Sequence, residues 1–344
     1  MSKTFFRLIL VCVVLLLALL LVSAWWSVRS AETVTKSEES QALSEQKQTP
    51  EQKETLDENL FEVDPGVRAS FASNPLVLAQ TDETLTLAYE YRSEELKNAP
   101  QDRVLVMTTQ DGLTFEQEDP DEWKHVPQPI RLPDGTYRRY FYNPQEGGLQ
   151  SESSSDGVTF TLDDGLRYQV SGAKTNDPNI YGVSTQFVDA QGGVVLLYNS
   201  TIDNEIVVNR AYASPETHGM TFVFDRSDIL ADTLREPHYA DPHALVRKNG
   251  EIWLIIMNQS RTRHPPASRE GIVYGYVSHD DGKTFDLEGR LIDWDDYGEF
   301  DVYSLNDPKL VEFSDGTLRI YMAAMVKDEE EEGGYRWDLV SASR

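Results

Sequence analysis

Gly282-Lys283-Thr284-Phe285 is one of four copies of Gly-x-Thr-Phe in this chain of 344 residues. The others are Gly112-Leu113-Thr114-Phe115, Gly157-Val158-Thr159-Phe160 and Gly219-Met220-Thr221-Phe222. One short pattern recurring along a strand-rich sequence marks a repeat architecture. A second pattern fills the space between the copies. It runs polar residue, proline, short apolar run, turn, second apolar run. Asn74-Pro75, Gln128-Pro129, Asp177-Pro178, Asp241-Pro242 and Asp307-Pro308 open these units. Asp134-Gly135, Asn249-Gly250 and Asp315-Gly316 supply hairpin turns, where Gly accepts the positive φ such turns require.

A third run follows in most units, as in Val207–Ala213 and Ile272–Val277, and Gly-x-Thr-Phe then opens the turn into a fourth. The predicted fold is all-β, a five-bladed propeller of four-stranded antiparallel blades. The units run over 72–118, 125–163, 177–225, 238–287 and 303–343. The last lacks its outer strand, and an open ring would leave an unpaired edge. Phe61-Glu62-Val63 resembles Phe115-Glu116 and Phe285-Asp286, so residues 59–63 are expected to complete blade five.

Upstream, Lys3 and Arg7 precede the apolar run Leu8–Val22. This N-terminal segment, residues 1–30, reads as an export signal. Val22-Ser23-Ala24 suits a cleaved signal peptide. The stretch to Val28, with Trp25 and Trp26 at its edge, suits an uncleaved membrane-spanning helix. Both readings put the body outside the cytoplasm, attached to the membrane through this helix only or released by cleavage. Residues 31–58 are rich in Glu, Gln, Lys, Ser and Thr and read as a disordered linker. The propeller occupies 59–344. The sole cysteine, Cys12, lies in the leader, so the exported body carries no disulfide.

The formal net charge is −27, from 58 acidic and 31 basic residues. That excess disfavours nucleic acid and anionic membrane surfaces as partners, because both need clustered Lys and Arg.

Ser278-His279-Asp280-Asp281-Gly282-Lys283-Thr284-Phe285 resembles the Asp-box of sialidases and related bacterial-neuraminidase-repeat propellers. In the other copies Gln110, Ser155 and Thr217 stand at the aspartate position. The resemblance implies an outer-rim turn between third and fourth strands, with a structural role for Asp280. The Phe-Arg-Ile-Pro motif of sialidases is absent, and the blade count looks instead like the five-bladed arabinanase, xylosidase and fructosidase glycosidases. That likeness implies two aspartates and a glutamate drawn from innermost strands, although Asn74 stands where blade one would want an aspartate.

Innermost strands converge on the propeller axis, where ligands bind. Asn74, Gln128, Asp177, Asp241 and Asp307 therefore form a candidate ring. The bland alternative is a polar cap before a strand-opening proline. The densest constellation is Glu236-Pro237-His238-Tyr239-Ala240-Asp241-Pro242-His243. Glycosidases pair a protonated with an ionised carboxyl. Asp241 is the candidate base or nucleophile, and Glu236 or Asp307 the acid. Asn74, Gln128, Asp177, His238, His243 and Tyr303 are candidate substrate contacts. The spacing of His238 and His243 matches no strong metal motif, so neither metal nor cofactor is expected. The two function readings are an exported glycan-active propeller, possessing hydrolase activity if the carboxyls converge, and a non-catalytic carbohydrate- or protein-binding scaffold.

Overall fold

The computed structural model describes residues 59–92, 104–118, 128–169, 184–202, 205–231, 238–259, 270–331 and 333–344. All lie within the unit Thr55–Arg344. The expected leader and linker, residues 1–58, fall outside them. Among the described residues no helix is long and apolar enough to cross a membrane.

The described strands form five antiparallel sheets of the predicted kind. Blade one comprises Ala72–Gln80, Leu85–Tyr91, Val104–Thr109 and Glu116–Glu118. Blade two comprises Pro129–Arg131, Tyr137–Asn143, Gly148–Ser154 and a split outer strand, Thr161–Leu162 with Tyr168–Gln169. Blade three comprises Ser184–Val188, Val194–Ile202, Glu205–Ala213 and Val223–Arg226. Blade four comprises Tyr239–Val246, Ile252–Asn258, Ile272–Ser278 and Asp286–Ile292. Blade five comprises Val302–Glu312, Leu318–Lys327 and Tyr335–Ser343.

The second strands show why the blades stack. In blades three and four this strand is apolar on both faces along most of its length, and its period of two sends alternate side chains to opposite neighbours. In blade four, Leu254 and Ile256 pack with Val195 and Leu197 of blade three, whereas Trp253 and Ile255 pack with Leu310 and Ile320 of blade five. In blade three, Leu196 and Tyr198 turn the other way, onto Tyr140 and Leu149 of blade two.

The N-terminal segment closes the ring, as expected, and reaches further than residue 63. Glu62 and Val63 pair with Ser343 and Ala342. Ala69 and Ser70 then pair with Leu339 and Asp338 of the same strand. Between them Asp64 is buried and accepts from Arg319 Nε at 2.8 Å and from the Ser341 and Ser343 hydroxyls at 2.7 Å each. Blade two repeats this device within the continuous chain. Asp163 accepts from the Ser151 and Ser153 hydroxyls, and Arg138 lies 3.3 Å away.

The rim turns carry the geometry of their sequence pattern. Asp280 accepts from the amides of Lys283 and Thr284 and from the Ser278 hydroxyl. Two of the other copies differ from expectation in a simple way. The turn aspartates of blades one and two are Asp111 and Asp156, directly before the glycine, in shorter loops opened by Thr109 and Ser154. The amides of Thr114 and Leu113 hold the Asp111 carboxyl well below the ordinary range. In blade three a short 3-10 turn, Pro215–Thr217, replaces the box.

The turn glycine also meets the neighbouring blade. Gly112 has φ +75°, and a Cβ there would lie 2.2 Å from Arg319 and 2.5 Å from Phe313. Its carbonyl accepts from the Tyr321 hydroxyl at 2.8 Å. Gly316 has φ +91° but open space around it. Gly112→Ala is therefore expected to cost about 2–4 kcal/mol in urea unfolding, combining left-handed strain with overpacking. Gly316→Ala should cost only the strain, about 1–2 kcal/mol.

Candidate functional site

Three of the five polar-proline positions share one backbone geometry. Asn74, Asp241 and Asp307 have φ of 48°, 49° and 53°, in the left-handed region. Each sits where its innermost strand slips register against the next strand, at Ser73/Leu76, Ala240/His243 and Asn306/Lys309. These are β-bulges, which re-aim a side chain and leave a place for proline inside a strand. Asn and Asp tolerate positive φ better than other side chains, at about 1–2 kcal/mol each. The prolines thus lie within strands instead of opening them, and the bland capping explanation does not apply to these three.

Successive blades link their bulges. The Asn74 main chain lowers the Asp307 carboxyl, and the Asp307 main chain lowers the Asp241 carboxyl. Blades four, five and one are thereby joined around one cavity of about 340 Å³. Its wall also includes Ser73, Arg92, Gln259 and Asn306, with Tyr335 and Trp337 to one side. The two aromatic rings meet edge to face at 6.3 Å. Gln259 Nε2 donates to Asn306 Oδ1 at 3.1 Å, and Asn306 Nδ2 donates to Ser304 Oγ at 2.8 Å. Arg92 Nε donates to Ser73 Oγ at 2.8 Å and its guanidinium pairs with Glu90.

Burial raises both aspartates. Burial, reinforced by the Asp241 charge and by Glu90, pushes the Asp307 carboxyl up to about 7, against the opposing pull of Lys309 and the Asn74 amide. Burial also raises Asp241, and Lys309 and the Asp307 amide counter it. Lys309 is itself lowered by burial, with both aspartates holding its charge in place. Two neighbouring carboxyls, both raised by burial, can share one proton, as acid–base chemistry requires.

The remaining sequence candidates are placed as follows. His243 does not line the cavity. It is buried one layer beneath, where Nδ1 accepts from the Leu310 amide at 3.2 Å and Nε2 donates to Gln128 Oε1 at 3.1 Å. Burial and Lys309 push its pKa well below the usual value, so the ring is neutral. Gln128 precedes its strand and serves as that partner across the axis. His238 and Tyr303 are outside the cavity wall. Their main chains pair with Asn258 and Glu270 respectively. Glu236 and Asp177 lie outside the described residues. Trp294 packs on the apolar seam between blades four and five. Among the described residues no group of three or more His, Cys, Asp or Glu is arranged to hold a metal.

Lys309, Gln259, Arg92, Tyr335 and Trp337 carry no sequence signal of their own. Lys309 was nonetheless findable. It follows Pro308 as His243 follows Pro242, so aligning the units on their prolines brings the two together.

The sequence matches no protein-family model and no curated protein. Solved structures match in fold. A thermostable family-43 glycoside hydrolase superposes with TM-score 0.54 at 11% identity, over 82% of this chain and 91% of its own. An α-L-arabinofuranosidase from Podospora anserina, solved with cellotriose, gives 0.54 at 10% identity over 82% and 93%. An endo-1,4-β-xylanase from Bacteroides thetaiotaomicron gives 0.53 at 12% identity over 81% and 92%. At such identities the likeness is one of fold.

Proposed function

We propose that the chain is an exported glycan-active propeller that hydrolyses glycosidic bonds with Asp241 and Asp307. The observation that carries this reading is the pair of carboxyls, Asp241 and Asp307, set on β-bulges of adjacent blades in the wall of one cavity that Tyr335 and Trp337 also line. Asp307 keeps its proton close to neutrality and is the general acid for the leaving oxygen. Asp241 is the partner carboxyl, acting as base toward water or as nucleophile. The glycosidic C–O bond breaks, the leaving oxygen takes the Asp307 proton, and water supplies the hydroxyl of the new reducing end. Tyr335 and Trp337 offer apolar ring faces to a sugar. The names of the fold relatives, arabinofuranosidase and xylanase, suggest furanose- or xylose-based polysaccharides. The Ser278–Phe285 box supports a further kinship with Asp-box propellers. The leader and linker fit an extracytoplasmic, membrane-tethered or secreted protein.

One observation favours a second reading. The third bulge carries Asn74, an amide, where a third carboxylate would be expected, so the cavity also suits a non-catalytic carbohydrate binder. Reducing-end release from arabinan and xylan, with calorimetric binding alongside, separates the two. Release supports the hydrolase, binding without release supports the binder, and neither sinks both. Trp337→Ala is expected to raise KM by about 3–10-fold with kcat little changed, as loss of a ring contact dictates.

A further inference from the structure

Blades two and five share a short sequence pattern. Asp163-Asp164-Gly165-Leu166-Arg167 of blade two matches Asp64-Pro65-Gly66-Val67-Arg68 of the segment that closes blade five. In both copies the arginine folds back on its own loop. Arg167 Nη2 donates to the Asp164 and Gly165 carbonyls, and Arg68 Nη2 to those of Pro65 and Gly66. In both, a second arginine from the blade's second strand lies beside the aspartate, Arg138 in blade two and Arg319 in blade five. The two pairs differ in what they reach on the next blade. Arg319 and Arg68 donate to oxygens of the blade-one turn, the Asp111 carbonyl at 2.9 Å and the Leu113 carbonyl at 2.8 Å. Arg138 and Arg167 both donate to the sulfur of Met220 in the corresponding turn of blade three, with Arg167 Nη1 2.9 Å from Sδ. Met220 and Leu113 hold the same place in Gly-x-Thr-Phe. A thioether is a weak acceptor. Two buried guanidiniums, 7% and 5% exposed, therefore meet sulfur where the sister blade supplies oxygen. The Nε atom of each is buried without a partner.

Met220 is also the one methionine among the described residues within reach of solvent. It is partly buried, whereas Met107, Met257, Met322 and Met325 are at most 1% exposed. We propose that Met220 is an oxidation site whose sulfoxide oxygen is received by Arg138 and Arg167, so that oxidation tightens the contact between blades two and three. The oxidant is a peroxide. A sulfur lone pair attacks one peroxide oxygen, the S–O bond forms and the O–O bond breaks. The attacked oxygen gives up its proton, the departing oxygen takes it, and with hydrogen peroxide the second product is water. Sulfur loses two electrons and the peroxide gains them. Such oxidation ordinarily turns an apolar side chain polar and disrupts its packing. Here the new oxygen brings the partial negative charge that two guanidiniums lack. The flexible methionine side chain lets that oxygen turn to meet them.

The inference is independent of the glycan reading. The test treats the full chain, as wild type and as Met220→Leu, with hydrogen peroxide, followed by peptide mass mapping and urea unfolding. Leucine holds this place in blade one, so the variant keeps the shape of the turn. Met220 is expected to gain oxygen well before Met107, Met257, Met322 or Met325. The oxidised wild type should then unfold with an equilibrium constant about 3–10-fold lower than the untreated protein, at unchanged urea slope, as added charge-assisted hydrogen bonds dictate. Met220→Leu should show no such gain. In the wild type the side-chain proton resonances of Arg138 and Arg167 should move downfield on oxidation. Met220 oxidised no faster than the buried methionines overturns the proposal. So does an oxidised wild type that is no more stable than the untreated one, or a gain that persists in Met220→Leu. Unmoved arginine resonances overturn it as well, because the oxygen would then have another partner.

Discussion

Asp307→Asn is expected to lower kcat for glycan hydrolysis by about 10²–10⁴-fold while leaving sugar binding nearly intact. The amide keeps the shape, but it has no acidic proton to give, and general acid catalysis is worth about that factor. The same variant should be more stable than wild type at pH 8. The sign follows from linkage. The folded carboxyl titrates at about 7, above its ordinary 3.8, so between these values the folded state binds more protons than the unfolded. Wild-type stability therefore falls as pH rises through that window, and the asparagine protein escapes the loss. Stability measured in urea at pH 4 and pH 8 checks this. The variant's advantage should be clear at pH 8 and shrink toward pH 4. Full activity in Asp307→Asn would remove this residue from the chemistry. An unchanged stability difference across the two pH values would mean that its carboxyl is not held protonated by the fold.

Asp64→Ala is expected to destabilise the propeller by about 3–5 kcal/mol, the cost of removing one partner from a buried ion pair. Three donors converge on this carboxylate, and two of them, Ser341 and Ser343, belong to the last strand. Arg319, left without its anion, would remain 7% exposed in an apolar seam. Asp163→Ala removes the corresponding anchor from blade two, where the strands it joins are close in sequence and need no closure. Asp64→Ala should therefore lower the urea midpoint more than Asp163→Ala does. Equal losses would show that Asp64 has only local value and that strand pairing alone closes the ring.

Much of the fold was legible from spacing. Turn glycines need positive φ, and hairpin strands need alternating or doubly apolar runs, so Gly112, Gly282 and their partners mark the blades without any tertiary knowledge. Phe61-Glu62-Val63 was legible for the same reason. The continuation of that strand to Ala69 and Ser70 was not, because two-residue strands have no periodicity to read. The box in blades one and two was misaligned by one position. Asp111 and Asp156 reach the same amides from a shorter loop, and that equivalence is set by backbone geometry instead of residue count.

The site was half legible. The polar-proline pattern singled out Asp241, Asp307 and Asn74, because a bulge with positive φ favours those residue types. It could not separate them from Gln128, which shares the pattern without the bulge. Lys309, Trp337 and Gln259 gave no local signal, since an isolated lysine or tryptophan in a strand reads as ordinary surface or core.

Local chemistry determined the strands, the turns and the number of blades, because each depends on φ, on periodicity or on a neighbour in sequence. Tertiary structure alone decided which bulges face one another. It also decided that Asp241 and Asp307 share one cavity wall, where burial raises both carboxyls. Those properties belong to distances between blades and to the exclusion of water, which no stretch of sequence contains.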